Sequence, residues 1–114
     1  MSGLNIPKTS SQNLASAALS YTTDFAYAVR VESITIRASE DITESITITK
    51  DSHKGSSYDT VLRKGNFNSS RDFVFTPPGD LGYLYKGDQL KIQCTNANGT
   101  GIVYVTVNWS EHKG

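Results

Sequence analysis

The stretch Leu90–Trp109, LKIQCTNANGTGIVYVTVNW, decides the fold. Its first part alternates apolar and polar residues, as a β-strand with one buried face does. Asn96-Ala97-Asn98-Gly99 then supplies turn residues, and alternation resumes from Ile102 to Trp109. Both parities of this last run are largely apolar. We therefore predict a β-hairpin whose second strand is central and covered on both faces.

The same period of two extends back through the chain. Phe25–Val31 and Asp41–Thr49 each read as one strand, and the apolar parity changes at Glu32-Ser33, where we predict a bulge. Turn residues separate the remaining apolar runs at Lys50–Ser57, Lys64-Gly65-Asn66, Pro77-Pro78-Gly79 and Lys86-Gly87-Asp88. About eight short strands at this spacing predict an all-β fold, a single antiparallel β-sandwich or jelly roll.

The first twenty residues, MSGLNIPKTSSQNLASAALS, differ from the rest because they are small and polar. We predict an extended, partly flexible N-terminal arm over residues 1–20 and a sandwich domain over residues 21–114. Residues 1–12 are expected to be mobile in the free protein, and residues 13–20 have the spacing of a short helix. Leu4 and Ile6 give the arm apolar side chains that can order against a neighbouring subunit.

The composition narrows the range of partners. Eleven basic and eleven acidic side chains leave no net charge, so nothing steers the 114-residue chain toward nucleic acid or an anionic membrane. No run approaches the roughly 20 apolar residues of a membrane span, and the first residues lack a signal-peptide core. We expect synthesis in a cytoplasm. Cys94 is the only cysteine, so no internal disulfide can form.

Catalytic and metal-binding patterns are weak. Asp51-Ser52-His53 are neighbours in a turn, whereas a hydrolytic triad must converge in space, and His112 lies beside the chain terminus. The turn carboxylates do not have the spacing of a calcium loop: Asp51, Asp59, Asp80 and Asp88. We predict no catalytic residue, no metal and no cofactor. Cys94 alternates with Leu90 and Ile92 and is expected to be buried and unreactive.

One part of the chain resembles a known class of proteins. ITITKDSHKGSSYDTVLRKGNF (Ile46–Phe67), followed by DFVFTPPGDLGYLYKGDQLKIQCTNANGTGIVYVTV (Asp72–Val107), is similar to small β-sandwich modules of tailed-phage virions. These modules include capsid decoration (cement) proteins and domains of tail fibres and adhesins. The shared elements are a Ser/Gly turn, Tyr58-Asp59-Thr60, a Phe/Pro segment and the Gly87-Asp88 turn. The resemblance implies a virion part built from several copies, without choosing between capsid and tail.

The leading hypothesis is a non-enzymatic capsid decoration subunit that forms homo-oligomers and binds phage capsid or tail proteins in the virion. The alternative is a receptor- or carbohydrate-binding module of a tail fibre or adhesin, which should expose two or more aromatic rings in one shallow patch. Tyr58 and Trp109, whose strands do not require them, join Leu4 and Ile6 as predicted partner-binding residues. The remaining strand tyrosines are expected to fill or cover the core: Tyr27, Tyr83, Tyr85 and Tyr104.

Overall fold

The computed structural model describes residues 6–25, 27–52, 55 and 59–111. These residues form a β-sandwich, as predicted, with a short 3₁₀ helix at Gly79–Gly82. Among them no helix is both long and apolar enough to cross a bilayer. The strands are β1 Lys8–Asn13, β2 Leu19–Asp24, β3 Val29–Ile42, β4 Ser45–Asp51, β5 Thr60–Asn66, β6 Ser70–Phe75, β7 Tyr83–Leu84, β8 Gln89–Cys94 and β9 Ile102–Glu111.

The strands divide between two antiparallel sheets. The first has the order β1-β9-β3-β6, with β7 paired to the start of β3, and the second has the order β2-β8-β4-β5. β4 and β5 follow each other along the chain and pair directly, whereas β1 to β2, β2 to β3, β3 to β4 and β8 to β9 all pass between the sheets. This is the strand order of a jelly roll, in which two Greek keys wrap around one core.

The predicted hairpin over residues 90–109 is wrong. β8 pairs with β2 and β4, whereas β9 pairs with β1 and β3, so residues 95–101 carry the chain from one sheet to the other. Alternation shows that two runs are strands but not which strand each one pairs with. β9 is central, as predicted, but only one face is fully covered: Val105 is buried, and Tyr104 is 47% exposed on the opposite face.

Several strand boundaries also differ from the prediction. The alternation of apolar and polar residues continues where the chain passes from one sheet to the other, so it does not mark where a strand ends. β3 begins at Val29 rather than at Phe25, and the run Asp41–Thr49 is divided at Thr43-Glu44. The turn predicted at Lys64-Gly65-Asn66 is the end of β5 instead. A glycine is needed there because a Cβ atom on Gly65 would lie 2.3 Å from the ring of Phe73. The bulge is confirmed between Val31 and Ser33.

The start of the chain belongs to the sandwich from residue 8, which corrects the predicted arm. β1 pairs with β9 in an unbroken register from Lys8 opposite Val107 to Asn13 opposite Ile102. Leu14 follows and is fully buried in the core. Residues 14–16 form a single turn rather than the predicted helix. The Asn13 side chain accepts a hydrogen bond from the Ala15 N–H, and the Asn13 carbonyl accepts from the N–H groups of Ser16 and Ala17. The sequence does not indicate β1 as a strand, because its residues are small and polar and its outer face is exposed to solvent.

The two ends of the sandwich differ in chemistry. The connections β1–β2, β3–β4, β5–β6 and β8–β9 lie together at one end, which we call the amide end after its asparagines: Asn13, Asn66, Asn68, Asn96 and Asn98. The opposite end, where β3 and β8 begin, is the apolar end. It gathers most of the large apolar side chains that are exposed in the described part of the chain: Ile6, Tyr27, Val61, Leu81 and Tyr85.

Candidate functional site

Three aromatic rings pack together as a stack at the apolar end, and their exposure to solvent increases from one ring to the next. The Phe25 ring packs edge-on against Trp109, with 5.2 Å between ring centroids, and the Tyr27 ring centroid lies 6.2 Å from that of Trp109. Phe25 is buried, Trp109 is half-buried against the core, and Tyr27 is 44% exposed. The stack therefore connects the hydrophobic core to the solvent-facing surface of this end.

The start of the described chain contacts this stack through a hydrogen bond and a cation–π interaction. The Trp109 indole Nε1 donates a hydrogen bond to the Ile6 carbonyl oxygen at 3.0 Å, and the Ile6 side chain remains 80% exposed. Lys8 places its ammonium group 5.4 Å from the centre of the Phe25 ring. Trp109 thus closes the core on one side and positions an exposed isoleucine on the other.

The structure brings together two of the four predicted partner-binding residues, Ile6 and Trp109. Leu4 and Tyr58 lie outside the described residues. Phe25 and Tyr27 complete the site and were not predicted as members of it. Their alternation indicates a strand, whereas they stand in the crossing between β2 and β3. No local signal in the sequence marks that crossing as a surface.

Charged groups surround the aromatic rings. Partial burial first, and then a hydrogen bond to Glu111 and its negative charge, raise the pKa of Tyr27 above its ordinary value of 10.0. Lys50 lies 5.8 Å from the centre of the Tyr85 ring, and Arg30 lies 5.4 Å from that of Tyr83. An apolar centre with cations stacked on ring faces suits contact with another macromolecule.

The tyrosine prediction is wrong for most of its members. Tyr27, Tyr85 and Tyr104 are each more than two-fifths exposed, and Tyr83 is half-buried. Alternation indicates which residues share one side of a strand, but it does not show whether that side faces the core. For Tyr104 the side faces solvent. Tyr27 and Tyr85 lie beyond strand ends, where alternation no longer fixes the direction of a side chain.

A buried carboxylate organises the amide end. Glu44, 3% exposed, accepts hydrogen bonds from the Thr95 hydroxyl at 2.6 Å and from the backbone N–H groups of Ala97 at 2.8 Å and Asn98 at 2.9 Å. Burial raises the pKa of Glu44, but these three hydrogen bonds outweigh it and hold the pKa below the ordinary 4.5. Glu44 thereby ties the β3–β4 turn to the β8–β9 connection.

A polar cleft of about 350 Å³ lies over this anchor, lined by Thr43, Glu44, Ser45, Asn66, Phe67, Asn68, Thr95 and Ala97. Its hydroxyl and amide groups largely bond to one another. For example, the Ser45 hydroxyl donates to Asn66 and the Ser45 N–H donates to Thr95. Both Glu44 oxygens accept N–H or O–H donors, so this carboxylate joins its own turn to the connection that supplies those donors.

The candidate hydrolytic residues do not assemble in the described part of the chain. The Ser52 backbone N–H donates to Asp59 at 2.8 Å, while His53 and His112 lie outside the described residues. Groups of three or more histidine, cysteine or acidic side chains suited to a metal ion do not occur among the described residues.

Cys94 is buried, as predicted, with 2% of its surface exposed, and burial raises the pKa of its thiol to about 11. We expect Cys94→Ser to lower the free energy of unfolding by about 1–3 kcal/mol, because serine buries a hydroxyl in an apolar setting. A denaturant melt measures the change. Cys94→Ala serves as the control for loss of the sulfur alone. Rapid labelling of the native thiol by a small reagent would contradict its burial.

Comparisons with known proteins extend only to the fold. No protein-family model matches the sequence, and no curated protein matches it. Among solved structures, the chain is similar to the core of Drosophila NLP, described as providing insight into pentamer formation and histone binding. The similarity covers 94% of this chain and all of that one, with 16% identity and a TM-score of 0.50. At this identity it shows a shared fold and nothing more.

Proposed function

We propose that this protein is a non-enzymatic structural subunit of a phage virion, a decoration subunit that binds the capsid in many copies. The observation that carries the proposal is the concentration of exposed apolar side chains at one end of the sandwich. A concentration of exposed apolar side chains on a small soluble domain commonly marks a contact with a partner. Each bound copy would stabilise the particle by mass action, since binding favours the assembled state.

The site has the composition expected of a protein–protein contact, with apolar side chains at its centre and charged ones at its edge. Tyr27 and Ile6 supply exposed apolar surface, and Trp109 holds the backbone at Ile6 through its indole hydrogen bond. Lys8 and Glu111 supply charge at the edge. Interfaces of this kind concentrate their binding energy in a few aromatic anchors surrounded by a polar rim.

Assembly into several copies is the second element of the proposal. The core of Drosophila NLP, which shares this fold, is described in terms of pentamer formation. That description supports the idea that such a sandwich can serve as the repeating unit of a ring. Histone binding is a property described for that protein, and the net charge of zero here offers no basic or acidic field to extend it to this chain.

Tyr27→Ala tests the proposal. We expect it to weaken binding to undecorated particles by about 30-fold, the equivalent of about 2 kcal/mol for an aromatic anchor. Its thermal melt should stay close to that of the unmodified protein, because the ring is 44% exposed. Co-sedimentation with purified particles gives the affinity. Trp109→Ala is a poorer test, since Trp109 packs against the core and its loss should also weaken the fold.

Tyr104→Ala is the matched control. Tyr104 is 47% exposed, similar to Tyr27, but lies on the outer face of the first sheet near the amide end. The control should bind particles normally. Equal binding by both variants would overturn the apolar end as the contact surface.

A second function is favoured by the pairing of Tyr27 with Trp109. An exposed planar ring beside hydrogen-bonding groups such as Glu111 is also how proteins hold a sugar, and this supports the receptor- or carbohydrate-binding alternative. A glycan array screened with the unmodified protein and with Tyr27→Ala separates the two. Glycan binding that is lost in the variant, together with retained particle binding, would favour the adhesin function over the structural one.

A further inference from the structure

The connection between β8 and β9 carries a chemically reactive pair of residues. Asn98 is followed by Gly99, and this is the only Asn-Gly pair in the sequence. The backbone nitrogen of the next residue can attack an asparagine side chain, and a glycine leaves that nitrogen unshielded because it has no Cβ. Asn98 is exposed, and Gly99 has a φ of 63° in the left-handed region. The pair therefore lies where solvent can supply the base and the water that such a reaction needs.

Three hydrogen bonds restrain the reacting groups. The Asn98 side-chain amide donates to the Thr43 carbonyl oxygen at 2.8 Å, and the Asn98 backbone N–H donates to Glu44 at 2.9 Å. The Gly99 N–H, whose nitrogen would attack, donates to the Asn96 carbonyl oxygen at 3.0 Å. Ring closure requires that the side-chain amide turn toward Gly99 and that the Gly99 nitrogen lose its proton. The first and third bonds must therefore break, while the second fixes the backbone between them.

We propose that Asn98 is a site of spontaneous deamidation, and that the hydrogen bonds accepted by Glu44 set its rate. The Gly99 nitrogen, after giving its proton to hydroxide, bonds to the Asn98 Cγ, and the side-chain nitrogen takes up a proton and leaves as ammonia. Water then opens the cyclic succinimide at either carbonyl, which yields aspartate or isoaspartate. The reaction needs no oxidant or reductant. The site lies at the amide end, so it does not depend on what the apolar end binds.

Glu44 controls the rate because it holds together the two segments that restrain Asn98. Thr43, whose carbonyl oxygen accepts from the Asn98 amide, is its neighbour in the chain. The backbone N–H groups of Ala97 and Asn98 donate to its two carboxylate oxygens. Local opening of such a segment controls how often a protected backbone group meets solvent. Loss of the carboxylate should therefore expose the Asn-Gly pair without unfolding the sandwich.

The product should weaken the connection that protected the asparagine. A carboxylate in place of the Asn98 amide has no N–H to donate to the Thr43 oxygen. It also adds a negative charge close to Glu44, whose Oε2 lies 2.9 Å from the Asn98 backbone nitrogen, and like charges at short range repel. In isoaspartate the main chain runs through the former side chain, which lengthens the connection. Deamidation should thus loosen the amide end progressively as a copy of the protein ages.

Peptide mapping by mass spectrometry measures the reaction in the full chain during incubation in mildly alkaline buffer. We expect deamidation at Asn98 to be slower in the folded protein than in the same protein unfolded in urea. In folded Glu44→Gln it should be faster by about 30-fold, the factor that corresponds to about 2 kcal/mol of lost hydrogen bonding. Asn68, an exposed asparagine of the same end that is followed by serine, is the internal control, and its rate should be equal in both folded proteins.

Leu84→Ala separates loss of the Glu44 hydrogen bonds from loss of overall stability. Leu84 is buried at the apolar end, so its truncation destabilises the core without touching the amide end. Deamidation at Asn98 in this variant should stay within about twofold of the rate in the unmodified protein. Where Glu44→Gln does not fold, Thr95→Val takes its place with a smaller expected acceleration, because it removes one donor to Glu44.

Three results would overturn the proposal. The first is an equal rate at Asn98 in the folded and the urea-unfolded protein, since the fold would then offer no protection. The second is an acceleration in Leu84→Ala that matches the one in Glu44→Gln, since the reaction would then pass through global unfolding. The third is the absence of deamidation at Asn98 from every one of these samples.

Discussion

Glu44→Gln is expected to lower the free energy of unfolding by about 2–3 kcal/mol at neutral pH, the scale of hydrogen bonds to a buried charged group. Glutamine keeps one acceptor oxygen but turns an NH₂ group toward backbone N–H donors. The backbone N–H of Ala97 or Asn98 then loses its acceptor and faces the amide group instead. Chemical denaturation of both proteins at pH 7 measures the difference.

The pH dependence of this difference has a fixed sign. The folded-state pKa of Glu44 lies below the ordinary 4.5, so its stabilising contribution is fully present above about pH 4.5 and is lost as the pH falls through the folded-state value. The unfolding curves of the two proteins should therefore converge under acid conditions. Glu40→Gln, at an exposed glutamate of the same end, is the control and should change stability by less than about 0.5 kcal/mol. A Glu44→Gln deficit that grows as the pH falls would contradict the mechanism.

Leu14→Ala is expected to cost about 3 kcal/mol, because truncating a fully buried leucine removes apolar contacts and leaves a cavity. The size of this effect separates a core residue from one in a detachable arm, for which the cost would be near zero. Leu81→Ala, which truncates a leucine 42% exposed at the apolar end, is the matched control and should be nearly neutral. Thermal melts of both variants give the answer. A neutral Leu14→Ala would restore the idea of an arm independent of the sandwich.

The sequence predicts strands well where one face is buried and the other is solvated. Ile46 and Ile48 against Thr47 and Thr49 are an example, since period two directly reflects a half-buried strand. The sequence does not predict which strands pair with each other. β8 and β9 are separated by a turn of the right composition for a hairpin, yet they pair in different sheets, because alternation identifies a strand without identifying its partner.

The candidate site was only partly accessible to sequence reasoning. Trp109 stood out because its strand did not need it, but its hydrogen bond to Ile6 spans almost the whole chain. Glu44 was not predicted at all. A glutamate between two strands reads as a solvated turn residue, and the donors that bury it come from residues about fifty positions later. Only tertiary structure brings these groups together.

The strand order has a consequence for how the protein folds. β3 runs through the middle of the first sheet, and its neighbour β9 lies more than sixty residues further along the chain. β1 pairs with the same β9. The β4–β5 hairpin can form from neighbouring residues, but neither sheet can be completed until β8 and β9 have joined strands that are distant in sequence. The complete sandwich should therefore form slowly, as expected for a chain dominated by distant pairings.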